Sequence, residues 1–161
     1  SVEKQAWYTG EFAKRAGDKP FVLATDAVIA ALHTVGAKRF GMMSPLSVEN
    51  SQSAVDYYTA LGFDVALATA LLVDKPENAV NVPMERVIEA FEEVDGPDID
   101  TLLHVGGSLG IVPLIAELED RFKKPVISVN QATYWYALRR MGITDPIPGF
   151  GELMLKADIV D

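Results

Sequence analysis

The chain predicts an α/β fold built on a parallel sheet, and three observations carry that prediction. Short apolar runs alternate with amphipathic stretches along most of its 161 residues, the pattern of strands joined by crossover helices. The run Leu102-Leu103-His104-Val105-Gly106-Gly107-Ser108 reads as a buried strand entering a glycine turn and then a helix. Lys124-Pro125-Val126-Ile127-Ser128-Val129-Asn130 repeats the pattern of buried strand, polar loop and helix. A strand ending in Gly-Gly lets backbone approach a ligand closely, and N–H groups left free there and in the next helical turn suit an anion.

The elements follow in order. Residues 3–16 form a helix that stops near Gly17-Asp18-Lys19-Pro20, and Phe21 to Ala24 is a first strand. Ala27 to Val35 is a helix closed by Gly36. Arg39 to Met43 is a second strand, handing over at Ser44-Pro45 to a helix over about residues 48–61 that Gly62 ends. Phe63 to Ala68 is a third strand, and a polar loop runs from Asp74 to Asn81. Pro83 opens a helix over 83–94, where its missing N–H costs nothing. After Asp95-Gly96-Pro97-Asp98 come strand 101–105, helix 109–122, strand 125–129 and helix 131–141. That makes five strands. The opening helix has nothing before it to pack against, and Pro148-Gly149-Phe150-Gly151 extends past the last helix. Both ends suggest a second lobe that the chain supplies in part.

Composition narrows the function. Hydrophobic residues make up 49% and charged residues 23%, a globular balance. A net charge of −9 argues against nucleic acid, which needs clustered cations, but leaves room for a locally positive pocket. Neither a bilayer-spanning apolar run nor a signal-peptide pattern is present, so no membrane partner and a cytoplasmic location are expected. With 0 cysteines and only His33 and His104, disulfides, thiol chemistry and a multi-histidine metal site fall away.

In parallel sheets ligands bind beyond the carboxyl ends of the strands, where the strand order reverses. The candidate positions are Thr25 and Asp26, Ser44 to Ser47, Gly106 to Ser108, and Ser128 to Gln131. Two polar strand ends in one sheet suggest a carboxylate pocket. Thr25 and Ser44 precede helices, where a hydroxyl can cap the helix as well as bind a ligand. Strand alternation turns His104 away from the face of its neighbour Val105.

Thr25-Asp26-Ala27-Val28, the helix ending Val35-Gly36-Ala37-Lys38-Arg39, Met43-Ser44-Pro45, Leu102 to Gly107, Pro125 to Ala132 and Pro148 to Gly151 together resemble the aspartate/glutamate racemase superfamily. They are most similar to its arylmalonate decarboxylase and maleate isomerase branch. The resemblance implies two pseudosymmetric α/β lobes with the active site between them. Residues 1–19 would end an incomplete first lobe, 20–144 would form the second lobe, and 145–161 would return to the first. The family's first strands and first catalytic position would then precede Ser1.

The resemblance also implies a cofactor-independent decarboxylase or isomerase acting on a small malonate- or maleate-like carboxylate. An enediolate would be held by fixed donors, where its charge develops. Carried over, the substrate-binding positions are Thr25, Ser44, Gly106, Gly107, Ser128 and Asn130, with His104 as the candidate catalytic acid. Two positions depart from the pattern: Val105 stands where the family has its second-lobe cysteine, and Leu46 where it has a substrate-binding tyrosine. Paired-thiol racemisation is thereby excluded, whereas decarboxylation driven by desolvation is not. A carboxylate-binding or regulatory protein without catalysis is the alternative, and a homo-oligomer is open to either. A flavodoxin-like nucleotide binder is a third reading, with no phosphate-loop fingerprint to support it.

Overall fold

A computed structural model describes residues 1–160. Four parallel strands form one sheet in the order β2-β1-β3-β4: β1 is Arg39–Ser44, β2 Asp64–Ala70, β3 Thr101–His104 and β4 Val126–Ser128. Six α-helices accompany them: α1 Val2–Ala16, α2 Ala24–Val35, α3 Val48–Ala60, α4 Met84–Val94, α5 Ile115–Phe122 and α6 Val129–Arg140. Short 3-10 turns span Pro76–Asn81, Val112–Leu114 and Glu152–Leu155.

The layers follow from strand alternation and from crossover handedness. Phe40, Met42, Leu103 and Ile127 point into a core shared with α2, α3, α6 and the final 3-10 turn. Met43, Leu102 and Val126 point to the opposite face, into a core shared with α4 and α5. The chain steps from β1 outward to β2 with α3 on one face. It then steps back past β1 to β3, and on to β4, with α4 and α5 on the other. A right-handed crossover requires that change of face when the direction of travel reverses. The reversal lies between β1 and β3. Close packing on the second face depends on Gly41, whose added Cβ would lie 2.0 Å from the Val94 carbonyl oxygen.

The tail after α6 is pinned to the first core. Trp135, fully buried, donates its indole N–H to the Lys156 carbonyl at 3.0 Å. The Arg139 guanidinium reaches the carbonyls of Lys156, Ile143 and Met154 at 2.7, 2.8 and 3.2 Å. The Glu119 carboxylate accepts from the N–H groups of Val126 and Glu152 at 3.1 and 2.8 Å. By contrast, α1 contains no buried residue and leaves Trp7 61% exposed.

The structure corrects three expectations. Phe21–Ala24 is not a strand: residues 21–23 are irregular and Ala24 already begins α2, so the described residues contain four strands, not five. Thr25 and Asp26 suit the first turn of a helix, where an acidic side chain meets the positive end of the dipole. The helix expected over 109–122 begins at Ile115, because Gly110 and Pro113 favour an irregular entry that tightens into the 3-10 turn Val112–Leu114. The polar loop 74–81 contains a 3-10 turn at Pro76–Asn81.

Candidate functional site

At the carboxyl end of the sheet, next to the point where strand order reverses, lies a cavity of about 340 Å³. Val105 and Gly106 after β3 and Val129 at the start of α6 form its base. One wall is α2, through Ala24, Thr25 and Val28; the other is α3, through Ser53, Ala54, Tyr57 and Tyr58. Lys4, Gln5 and Tyr8 of α1 reach across the mouth. Lys4 is the one charged side chain among these lining residues, and its ammonium sits 5.9 Å from the centre of the Tyr8 ring.

Gly106 is required where it stands. Its φ of +103° is a conformation that side chains other than hydrogen rarely tolerate, and an added Cβ would meet the Pro45 ring at 2.7 Å. The turns after β1 and β3 therefore touch at the reversal point, with the Gly106 backbone facing the cavity.

The expected site residues divide. Thr25 and Gly106 line the cavity. Thr25 lies inside α2 rather than at its N-cap, which is Leu23, and its hydroxyl oxygen accepts from the Gln5 side-chain amide. Ser44 is buried behind the wall, where its hydroxyl accepts from Leu46 N–H at 3.3 Å; the cap of α3 is Ser47. Gly107 and Asn130 hold each other, the asparagine amide donating to the Gly107 carbonyl at 3.1 Å. Asp26 opens onto a different, broader cleft with Lys19, Tyr136 and Arg140, and partial burial raises its pKa above the ordinary carboxylate value.

His104 and Ser128 lie side by side in neighbouring strands on the face of α4 and α5. Both are fully buried, and His104 Nδ1 lies 3.1 Å from Ser128 Oγ. Desolvation drives the His104 pKa down to about 4, with a hydrogen bond at the Gly106 backbone pulling the other way. The ring is neutral near pH 7, its Nε2 has no hydrogen-bond partner, and it faces away from the cavity that Val105 lines.

The two tyrosines of α3 carry no role in the sequence reading, yet they supply the phenols of the cavity wall. Ser53, Ala54, Tyr57 and Tyr58 are spaced i, i+1, i+4 and i+5, which places them on one face of a helix. That spacing was the available signal. Burial raises the pKa of both phenols; for Tyr57 the charge of Asp26 adds to the effect, and for Tyr58 its neighbour Tyr57 does.

Comparison with known proteins agrees with this fold. The maleate isomerase of Geobacillus stearothermophilus is 26% identical over 144 residues, covering 88% of this chain and 57% of that protein. The maleate isomerase of Pseudomonas putida is 27% identical over 145 residues, covering 86% of this chain and 56% of that protein. The chain thus spans a little over half the length of these relatives. The fold matches a Nocardia farcinica maleate cis-trans isomerase bound to TRIS, with a TM-score of 0.85 at 24% identity over 95% of this chain and 63% of that one. It matches an arylmalonate decarboxylase with a TM-score of 0.76 at 24% identity, over 88% of this chain and 63% of that one. A mutant of the Nocardia enzyme carries a covalently bound succinylcysteine intermediate. The sequence profile described as arylmalonate decarboxylase matches residues 9–154, and the chain belongs to that family.

Proposed function

We propose that this chain carries the carboxylate-binding lobe of a cofactor-independent enzyme that decarboxylates a small malonate-type acid through an enediolate. The observation that carries the reading is a single cavity combining hydrogen-bond donors, one cation and an apolar wall. The Lys4 ammonium, the Thr25 hydroxyl and the backbone around Gly106 offer one carboxylate its partners. Val28, Ala54, Val105 and Val129 offer a second carboxylate apolar side chains and so poor solvation on that wall. Poor solvation favours loss of carbon dioxide, and donors fixed at the oxygens that gain charge stabilise the enediolate. Ser44 and Ser128 act behind the cavity by holding strand ends, while Gly107 and Asn130 brace its rim. Residues 1–19 are read as the end of a first lobe, in keeping with an α1 that buries no residue.

Isomerisation through a cysteine adduct, as in the Nocardia mutant, is closed to this chain's own residues because it contains 0 cysteines. The same observation favours a second reading, in which the pocket binds a carboxylate and performs no chemistry. Titration of the chain with phenylmalonate and with maleate, followed by NMR, tests both. Binding of phenylmalonate is expected, with release of carbon dioxide; Lys4→Gln weakens it roughly tenfold, equivalent to about 1.4 kcal/mol. Binding without carbon dioxide release or exchange of the α-proton selects the second reading. Absence of binding by either acid overturns both.

A further inference from the structure

An enediolate on this surface needs a proton at its α-carbon, and the residue at the base of the cavity, Val105, has none to give. His104 has its ring on the other face. Phenols on α3 remain. Tyr58 is only 4% exposed, and neither its hydroxyl nor that of Tyr57 bonds to another group of the protein among the described residues. His104 Nε2 is the one buried polar side-chain atom left without a partner there, so the two phenol hydroxyls are not stranded in the core and remain open toward the cavity they line. Both residues line the cavity that also contains Val105 and Gly106. Their rings are held by packing: Tyr57 stands edge-on to Tyr58 at 5.4 Å, and Tyr58 edge-on to Phe40 at 5.8 Å. Tyr57 is the more open of the pair, half-buried where Tyr58 is buried.

We propose that the Tyr57 phenol delivers the proton to the α-carbon of the bound carboxylate, in the place that Val105 leaves vacant. The proposal rests on the decarboxylase reading above. The bond between the α-carbon and the departing carboxylate breaks, its electron pair enters the enediolate, and carbon dioxide leaves. The α-carbon then takes the phenolic hydrogen, forming a C–H bond and a Tyr57 phenolate. The phenolate recovers a proton from water at the open mouth, leaving hydroxide. A general acid must be protonated at the working pH, and burial together with the charge of Asp26 holds the Tyr57 phenol in that form. Because the ring is fixed on one wall, the proton reaches one face of the enediolate.

Tyr57→Phe removes the hydroxyl and keeps the ring. The probe is a phenylmalonate bearing a methyl group on the α-carbon, turned over in deuterated water, with kcat, KM and the enantiomeric composition of the product as readouts. The expected result is a fall in kcat of about 10²-fold or more with KM nearly unchanged, and a product that moves toward the racemate as water protonates either face. Tyr134→Phe, on the exposed side of α6, keeps the wild-type rate and enantiomer. Should Tyr57→Phe not fold, a ring-fluorinated tyrosine at position 57 takes its place. Its more acidic phenol moves the alkaline limb of the kcat/KM profile to lower pH, and an unmoved limb overturns the proposal. Wild-type turnover with an unchanged rate and product in Tyr57→Phe overturns the role of Tyr57 and leaves the decarboxylase reading intact. No turnover by the wild-type chain overturns both.

Discussion

Replacing Gly106 with alanine tests the claim that the β1 and β3 turns are locked together at the reversal of strand order. Two costs add. At φ +103° an alanine is held in a sparsely populated conformation, worth about 1–3 kcal/mol. Its Cβ would also stand 2.7 and 2.8 Å from the Cδ and Cγ of Pro45. That ring cannot swing aside: Pro45 is buried, its carbonyl accepts from Val73 N–H at 3.0 Å, and the neighbouring Ser44 carbonyl accepts from Leu71 N–H at 2.9 Å. Forcing one methyl into such a contact costs about 1–3 kcal/mol. Alanine recovers about 0.4–1 kcal/mol by restricting the unfolded chain. The balance is a loss of about 1–5 kcal/mol, and at about 2–4 °C per kcal/mol for a chain of this size Tm falls by roughly 2–20 °C. Urea unfolding followed by circular dichroism measures it as a lower midpoint at unchanged slope. Gly110→Ala is the control, because its Cβ meets no atom within 4 Å and its φ is not positive. If Gly106→Ala lies within about 0.5 kcal/mol of the wild type, like a neutral surface change, the lock does not exist.

His104 makes stability pH-dependent. Its folded pKa, about 4, lies below the ordinary 6.5, so the unfolded chain takes up the proton first as pH falls. The contribution is complete above about pH 6.5 and is lost between there and about pH 4, amounting to about 3 kcal/mol at most. Urea midpoints of the wild type and His104→Gln at pH 7 and 4.5 should diverge, with the variant flatter; equal losses would show that the imidazole is not the titrating group. Glu119→Gln leaves one carbonyl oxygen to serve the two N–H groups that the carboxylate now accepts, from Val126 and Glu152. Stranding one of them costs about 1–3 kcal/mol, and amide exchange at that residue accelerates; unchanged protection at both amides would remove Glu119 as the clasp of the tail.

The sheet was legible because its signals are local. Arg39 to Met43 and the run from Thr101 are apolar enough to be buried on both faces, and each is followed by turn residues and a helix. Even the side on which His104 falls follows from a period of two. Phe21 to Ala24 departs from the expected strand because four apolar residues fit a strand and the entry to a buried helix equally well. The outcome is decided by whether an edge of the sheet takes them up, which is a tertiary fact. The cavity divides in the same way. Gly106 and Thr25 were visible as the ends of elements, but the opposite wall is a helix face, and the spacing of Ser53, Ala54, Tyr57 and Tyr58 says only that they share a side. Which side faces the strand ends depends on the right-handed crossover from β1 to β2 laying α3 on the face of α2 and α6. The sheet's topology thus presents phenols where Val105 offers only methyl groups. A valine at that position is an argument against chemistry only while strand ends alone are counted, and α3 gives the cavity acidic hydrogens from outside them.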